Sequence, residues 1–127
     1  MKISNNLNDD IAHAPEWFQR AISVKPEEKV LGHEKGDISY SFWESKSNTG
    51  NLIILIHGTG AHKKWWYPIA PGLNLNAHII SIDLPGMGDS SFRESYKVED
   101  FGDCVTSVIR HEKDINNSSF TYLVGHS

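Results

Sequence analysis

The residues "VGHS" at Val124–Ser127 place a Gly-x-Ser pattern directly after an apolar run. A strand that runs into Gly-x-Ser is the first part of the G-x-S-x-G motif, in which a strained strand-to-helix turn exposes the serine hydroxyl as a nucleophile. The glycine is required because a side chain two residues before the serine would collide with the turn. Gly-x-Ser alone is common, so this pattern makes Ser127 only a candidate nucleophile.

A second candidate lies in the glycine-rich segment "HGTG", His57–Gly60, which follows another apolar run. Two glycines within three residues let the backbone turn sharply and present free N–H groups. One interpretation is half of an oxyanion hole, in which the N–H of Thr59 or Gly60 binds a developing negative oxygen. An ordinary tight turn is the alternative, and the segment alone does not distinguish the two.

The third candidate is "DLPGMGDSS", Asp83–Ser91, after the next apolar run. As a dinucleotide fingerprint it fails, because Ser91 stands at the third glycine position and "FRESYK" precedes the next helical spacing. The fingerprint also belongs in the first strand-to-helix turn of such a domain, and here that turn is the "HGTG" segment. Dinucleotide binding is therefore disfavoured.

The elements that must position these loops are apolar strands alternating with helices. Continuous apolar runs predict strands buried on both faces at Leu52–Gly58, Ala77–Gly86 and Phe120–Ser127. Apolar spacing predicts helices over Lys64–Leu73 and Val98–Glu112 between them. This alternation predicts an α/β fold in which parallel strands carry helices on both faces, with the three loops at one edge.

The N-terminal part has a different pattern. Residues 1–12 are predicted to be a loose tail, and 13–127 to belong to one domain. "PEWFQRAI" predicts a short helix after Pro15. Two strands, Lys29–His33 and Ile38–Trp43, are predicted to form an antiparallel hairpin, and the alternation in the second suggests that it is half-exposed.

Composition excludes several classes of function. The chain of 127 residues carries a net charge of −4 and has no basic stripe, which disfavours nucleic-acid binding. Its longest apolar run is far shorter than the ~20 residues of a membrane span, and no membrane partner is expected. The single cysteine, Cys104, favours a reducing, cytoplasmic location and is expected in the core. The histidines lack metal-ligand spacing, so neither a metal nor another cofactor is expected.

Together, the three loops resemble the α/β-hydrolase fold family, in its serine esterase-like branch. "HGTGAHKKWW" is similar to that family's oxyanion loop, "DLPGMGDSS" to the turn after its fourth strand, and "LVGHS" to the start of its nucleophile elbow. "APEWFQRAI" resembles a lead-in found in some esterase-like members. The resemblance extends over about residues 15–127.

The resemblance implies a role for each loop. Ser127 would be the nucleophile, the N–H of Thr59 (or of Gly60) one oxyanion donor, and the residue after Ser127 the second donor. A serine at this position disfavours the haloalkane dehalogenase and epoxide hydrolase branches, which use a carboxylate there. The other loop residues would shape the site rather than react; they are His57, Gly58, Asp83, Gly86, Gly88 and Ser90.

The neighbouring His126 is a poor candidate for the general base, because adjacent residues across an elbow project in different directions. In the family order the catalytic acid and histidine follow the serine. The sequence is therefore interpreted as the N-terminal portion of such a domain, and these 127 residues alone are expected to be inactive. Trp65 and Trp66 are candidates for an acyl pocket, although packing onto the sheet is the simpler role for either.

The whole protein is expected to hydrolyse a small-molecule ester or a related acyl bond. Two alternatives stay open: a carbon–carbon bond hydrolase or lactonase on the same fold, and a non-catalytic member that only binds its ligand. The substrate and the oligomeric state are not indicated by the sequence.

Overall fold

The computed structural model describes residues 7–47 and 49–127. It contains helices α1 Leu7–Ala12, α2 Glu16–Ser23 and α3 Val98–Asn116, strands β1 Glu27–Leu31, β2 Ile38–Trp43, β3 Leu52–Ile56, β4 His78–Ile82 and β5 Thr121–Gly125, and two 3-10 turns, Lys63–Trp66 and Ala70–Gly72. The tail predicted over residues 1–12 thus includes a short helix, and its first six residues lie outside the described part.

The strands form one sheet in the order β1-β2-β4-β3-β5. β2 runs antiparallel to both β1 and β4, whereas β3 runs parallel to both β4 and β5. This mixed sheet confirms the predicted fold class, an antiparallel hairpin followed by parallel strands. The strands are shorter than predicted at their carboxyl ends, because the glycine-containing segments leave the sheet as loops.

The prediction that Ile38–Trp43 is half-exposed was wrong. All six residues of β2 are buried, since β2 lies between β1 and β4 and both of its faces are covered. Its alternating serines face a buried polar cluster rather than solvent: Ser39 Oγ accepts a hydrogen bond from Lys63 Nζ, and Ser41 Oγ donates to the Glu28 carboxylate.

The predicted helix over Lys64–Leu73 was also wrong. The segment instead forms the two 3-10 turns, separated by Tyr67–Ile69. Pro68 and Pro71 explain the difference, because proline has no N–H to donate and its ring clashes with the preceding helical turn. The apolar spacing was a real signal of burial, since Trp66 and Ala70 both lie in the core.

The core is divided by the sheet into two layers. On one face α3 packs Cys104, Val105 and Val108 against the sheet. On the other face the 3-10 turns pack Trp66 and Ala70 against it. Cys104 is buried as predicted, and burial raises the pKa of its thiol to about 12.

Helix α3 begins where predicted and extends four residues further, to Asn116. Lys97 precedes it without a capping side chain, but the Asp100 carboxylate accepts a hydrogen bond from the Lys97 N–H at 3.0 Å. The acidic residue in the first turn thus supplies the reciprocal half of a capping box, in which the side chain at the third helical position binds the N–H of the residue before the helix. The helix ends at Asn117, which adopts a left-handed conformation with φ 51°.

Candidate active site

Three strands deliver the candidate loops to one edge of the sheet. Ile56, the last residue of β3, is in register with Ile82 of β4 and with Gly125 of β5. The His126 N–H continues the pairing by donating to the Ile56 carbonyl at 3.1 Å. Because the three strands are parallel, the loops that follow them leave the same edge side by side.

Ser127 has a backbone conformation that is unusual for a residue with a side chain. Its φ is 61°, in the left-handed region that costs a non-glycine residue about 1–2 kcal/mol. Such strain is typical of positions where the surrounding structure fixes a functional side chain. It is also the conformation that a sharp strand-to-helix turn imposes on a nucleophilic serine.

Gly58 brings the "HGTG" loop against this turn. A Cβ at Gly58 would lie 3.0 Å from the His126 carbonyl oxygen and 3.2 Å from Ser127 Cβ, so a side chain would push the two segments apart. The glycine at position 58 therefore has a steric reason that the sequence did not reveal: close approach to the segment carrying Ser127. At Gly125 the described residues place no atom within 4 Å of a Cβ, so the collision predicted there is not found.

The N–H groups of Thr59 and Gly60 follow Gly58 in this loop. Among the hydrogen bonds within the described residues, none uses either N–H as a donor, while the next one along, Ala61, donates to the Gly58 carbonyl at 3.1 Å. Gly60 has a φ of 78°, which supports the tight turn. The loop thus presents two unused donors, which is what an oxyanion hole requires.

His57 fixes the base of this loop through both ring nitrogens. Its Nε2 accepts the Leu84 N–H at 3.1 Å, and its Nδ1 lies 2.7 Å from the Gly58 carbonyl oxygen. Since Nε2 accepts, we assign the hydrogen to Nδ1, which donates to Gly58. The ring is buried and joins the loop after β3 to the loop after β4.

The turn after β4 is organised around the buried Asp83 carboxylate. Its oxygens accept the Lys63 N–H at 2.6 Å and the Asp89 N–H at 2.9 Å. A Cβ at Gly88 would overlap this carboxylate, and φ at Gly88 is 54°. Ser90 Oγ donates to the Asp83 carbonyl at 2.7 Å and accepts the Ser39 N–H at 2.9 Å, which closes the turn onto β2.

Gly86 allows a separate contact in the same turn. Its φ is 75°, and a Cβ there would collide with the Tyr96 ring. The Tyr96 hydroxyl also accepts the Arg93 N–H at 2.9 Å. The two glycines thus have different neighbours, Asp83 for Gly88 and Tyr96 for Gly86, and both pack inside the turn rather than toward Ser127.

Lys63 is a site residue that sequence reasoning missed. None of the three loop motifs singles it out, yet it is 4% exposed. Burial lowers its pKa, but the hydrogen bond to Glu28 and the charges of Asp83 and Asp89 outweigh burial, so the net pKa lies above its ordinary value. The only sequence signal for Lys63 is that it is a polar residue shortly after the "HGTG" segment, and residue spacing could not reveal which groups it contacts.

The carboxylate partner Glu28, on β1, belongs to the same cluster. Burial raises the pKa of Glu28, but hydrogen bonds from Tyr67, Lys63 and Ser41 outweigh it, and the net pKa lies below the ordinary value. The Tyr67 hydroxyl donates to Glu28 at 2.5 Å. Both charged groups are therefore held in their ionised forms.

His126 packs against the two tryptophans. Its ring stacks on Trp65 with centroids 5.5 Å apart and meets Trp66 edge-on at 6.4 Å. Among the described residues no hydrogen bond joins its ring to the Ser127 hydroxyl. Trp66 is buried and packs the 3-10 turn onto the sheet, whereas Trp65 is 55% exposed beside the elbow.

Comparison with known proteins identifies the family. The sequence model of the α/β-hydrolase fold matches residues 51–127, more than half of the chain. The chain belongs to the α/β-hydrolase family. The match contains all three loops and ends at Ser127, which confirms the resemblance drawn from the loops; the lead-in at "APEWFQRAI" lies outside it and stays a prediction.

Relatives with curated functions are hydrolases. Over 79 residues the chain is 33% identical to (E)-2-((N-methylformamido)methylene)succinate hydrolase of Acinetobacter baylyi, which covers 61% of this chain and 28% of that protein. Over 72 residues it is 33% identical to pimeloyl-[acyl-carrier protein] methyl ester esterase of Neisseria meningitidis, covering 57% and 28%. The chain therefore spans under a third of the length of these relatives.

Solved structures show the same architecture. The thioesterase domain from the curacin biosynthetic pathway superposes with a TM-score of 0.70 at 29% identity, covering 82% of this chain and 38% of that one. The Cif epoxide hydrolase from Acinetobacter nosocomialis gives a TM-score of 0.67 at 25% identity, covering 100% and 40%. Enzymes of different chemistry thus share this arrangement of strands and loops.

No described helix has the length and apolar character needed to cross a membrane. Likewise, no three or more His, Cys, Asp or Glu side chains in the described part of the chain are grouped as metal ligands would be.

Proposed function

We propose that this chain supplies the nucleophile and the oxyanion loop of a serine hydrolase that cleaves esters or related acyl bonds. The observation that carries the proposal is the strained conformation of Ser127, with φ 61°, at the end of β5 and in contact range of the Gly58 loop. A strained serine beside two unused backbone N–H groups is an arrangement suited to acyl transfer.

In the proposed mechanism, Ser127 Oγ attacks the substrate carbonyl and forms a tetrahedral intermediate. The N–H of Thr59 (or of Gly60) and that of the residue after Ser127 donate to its negative oxygen, and the leaving group departs with the proton taken from the serine hydroxyl. Water then releases the acyl group from Ser127. The general base and its acidic partner come after the serine in the family order, and we expect them beyond the 127 residues described. His126 takes no part in proton transfer.

The substrate class is proposed from the relatives. One is named an esterase of a methyl ester, another a hydrolase of a substituted succinate, and a solved neighbour is a thioesterase domain. We propose that the substrate of this protein is a small molecule with an ester or thioester carbonyl. Cytoplasmic location remains a prediction from the single cysteine.

The test is Ser127→Ala in the longest natural polypeptide that contains this sequence, assayed with a short-chain p-nitrophenyl ester and with a fluorophosphonate label. Turnover is expected to fall at least 10³-fold and labelling to disappear, because the nucleophile is lost. The matched control is Ser119→Ala, an exposed serine in the loop before β5, which should behave as wild type. Wild-type turnover by Ser127→Ala would refute the assignment; ligand binding without turnover in the wild type would favour a non-catalytic member.

A further inference from the structure

The backbone of Lys63, which follows the oxyanion loop, makes two hydrogen bonds to side chains outside the loop. Its N–H donates to Asp83 Oδ1 at 2.6 Å, and its carbonyl accepts the Ser81 hydroxyl at 2.7 Å. The backbone of Lys63 is thereby bonded to β4 and to the turn that follows it. These two bonds locate the point at which the loop ends.

The ammonium group of Lys63 adds contacts to β1 and β2 and a further contact to the turn after β4. It donates to Ser39 Oγ on β2 at 2.6 Å, and it pairs with Glu28 on β1 at 2.9 Å and with Asp89 after β4 at 3.3 Å. Asp83 lies at 3.6 Å. A single buried cation thus joins the loop to β1, to β2 and to the turn containing Gly88.

Stability alone does not account for this cluster. Removing an ion from water costs several kcal/mol, and apolar replacements of buried ion pairs are often neutral or stabilising. An ion that contacts four groups on β1, on β2 and in the turn after β4 does something that an apolar side chain cannot: it fixes direction as well as distance. The cluster therefore favours a role in geometry.

The loop that carries the unused N–H groups is held at each end by a hydrogen bond to the segment after β4. At one end the His57 ring bonds to the Leu84 N–H, and at the other end Lys63 bonds to Asp83. The partners in both bonds, Leu84 and Asp83, lie in the segment after β4, whereas Ser127 follows β5 on the other side of β3. The distance from Thr59 N–H to the reacting carbonyl therefore depends on how firmly these two bonds hold.

We propose that Lys63 is a positioning residue that holds the oxyanion loop, through its ammonium contacts to Ser39, Glu28 and Asp89, at the distance from Ser127 that the tetrahedral oxygen requires. The inference rests on the proposed function, because it assigns Lys63 to that same site. Lys63 does not contact substrate. Loss of the Lys63 ammonium should therefore weaken stabilisation of the charge that develops on the oxygen in the transition state, which lowers kcat and changes KM little.

The experiment compares Lys63→Met with Lys64→Met in the same natural polypeptide, using the p-nitrophenyl ester. Methionine keeps most of the length of the lysine side chain and removes its charge. Lys64 is the adjacent, exposed lysine. Lys63→Met is expected to lower kcat about 10- to 100-fold, less than the 10²–10³ lost with a whole oxyanion donor, with KM within about threefold. Lys64→Met should leave both unchanged.

A second variant keeps the test decisive if Lys63→Met does not fold. Glu28→Gln alters one partner of the ammonium on β1, where the carboxylate is half-exposed, and leaves Lys63 and the loop sequence intact. We expect kcat to fall several-fold with a normal unfolding curve, and amide hydrogen exchange to accelerate at Ala61 and Lys63, whose N–H groups are hydrogen-bonded at the end of the loop. Folded Lys63→Met with the kcat of Lys64→Met, or Glu28→Gln with wild-type kcat and exchange, overturns the proposal. Failure of the serine assignment itself would appear separately, as turnover that survives Ser127→Ala.

Discussion

At the scale of single residues, the contact between Gly88 and Asp83 couples a backbone conformation to a buried charge. Gly88 has a φ of 54° and its Cα lies against the Asp83 carboxylate, so any side chain meets both strain and overlap. Gly60 has a φ of 78° but no atom within 4 Å of the position where its Cβ would be. The pair separates conformational strain from steric overlap.

We expect Gly88→Ala to lower the free energy of unfolding by about 3 kcal/mol and Gly60→Ala by about 1 kcal/mol. Strain in the left-handed region accounts for ~1 kcal/mol in both, and overpacking against Asp83 adds about 2 kcal/mol in the first. Urea unfolding followed by tryptophan fluorescence measures both. Equal losses for the two variants would mean that Asp83 moves aside at no cost and that overlap is unimportant.

The candidate nucleophile and the loop glycines could be found from sequence because each has a local signature, a glycine at a fixed offset from a strand. Lys63 could not. Its burial depends on Glu28, Ser39 and Asp89, which lie far apart in the chain and meet only after the sheet has formed. In the sequence, adjacent lysines suggest two solvated surface residues, and only the tertiary structure shows that Lys63 is buried and Lys64 exposed.

At the scale of elements, a buried carboxylate joins α3 to the first two strands. Glu112, fully buried on α3, accepts from the Tyr40 hydroxyl on β2 at 2.5 Å and from Lys29 Nζ on β1 at 2.9 Å. Asn116, one turn later, donates at 3.0 Å. Burial raises the pKa of Glu112, but the hydrogen bonds from Tyr40 and Lys29 outweigh it, so the net pKa lies below its ordinary value of 4.5.

Because the pKa of Glu112 is lowered on folding, its ionised form stabilises the protein. This contribution is complete above the unfolded pKa near 4.5 and is lost as the pH falls through the lower, folded pKa. We expect Glu112→Gln to lower the free energy of unfolding by about 2 kcal/mol at pH 7 and to reduce its decline below pH 4.5. Urea unfolding at a series of pH values tests this.

The matched control for that series is Glu99→Gln, an exposed residue of the same helix. This substitution should lower the free energy of unfolding by only a few tenths of a kcal/mol, because it removes a negative charge near the amino end of α3. A Glu112→Gln protein that lost stability on acidification as steeply as the wild type would show that other carboxylates dominate the acid transition.

Among the elements, those with one strong local pattern were predicted and those that depend on context were not. The apolar stripe of α3 and the continuous apolar run of β3 each identify their element within a few residues. The segment after Lys63 shows helical spacing, but Pro68 and Pro71 interrupt it, and short 3-10 turns can bury the same side chains. The burial of β2 depends on its position in the sheet between β1 and β4, and the alternating pattern of its own residues does not reveal that position.

At the scale of the whole molecule, β5 is the least covered part of the sheet. It lies at the end of the strand order and pairs only with β3 within the described residues. Its apolar side chains are exposed, Tyr122 by 57%, Leu123 by 59% and Val124 by 40%. An apolar strand with an open edge and open faces is a surface on which other chains pair.

We therefore expect a polypeptide of these 127 residues to associate through β5 at micromolar concentration and to bind the dye ANS. Leu123→Lys should reduce both, because a charge on an edge strand opposes pairing with another strand. Analytical ultracentrifugation and ANS fluorescence measure the change. The control is Phe92→Lys, which also exchanges an exposed apolar side chain for a charge but lies in the loop after β4. If Phe92→Lys reduced association as much as Leu123→Lys, net charge rather than the β5 edge would control it.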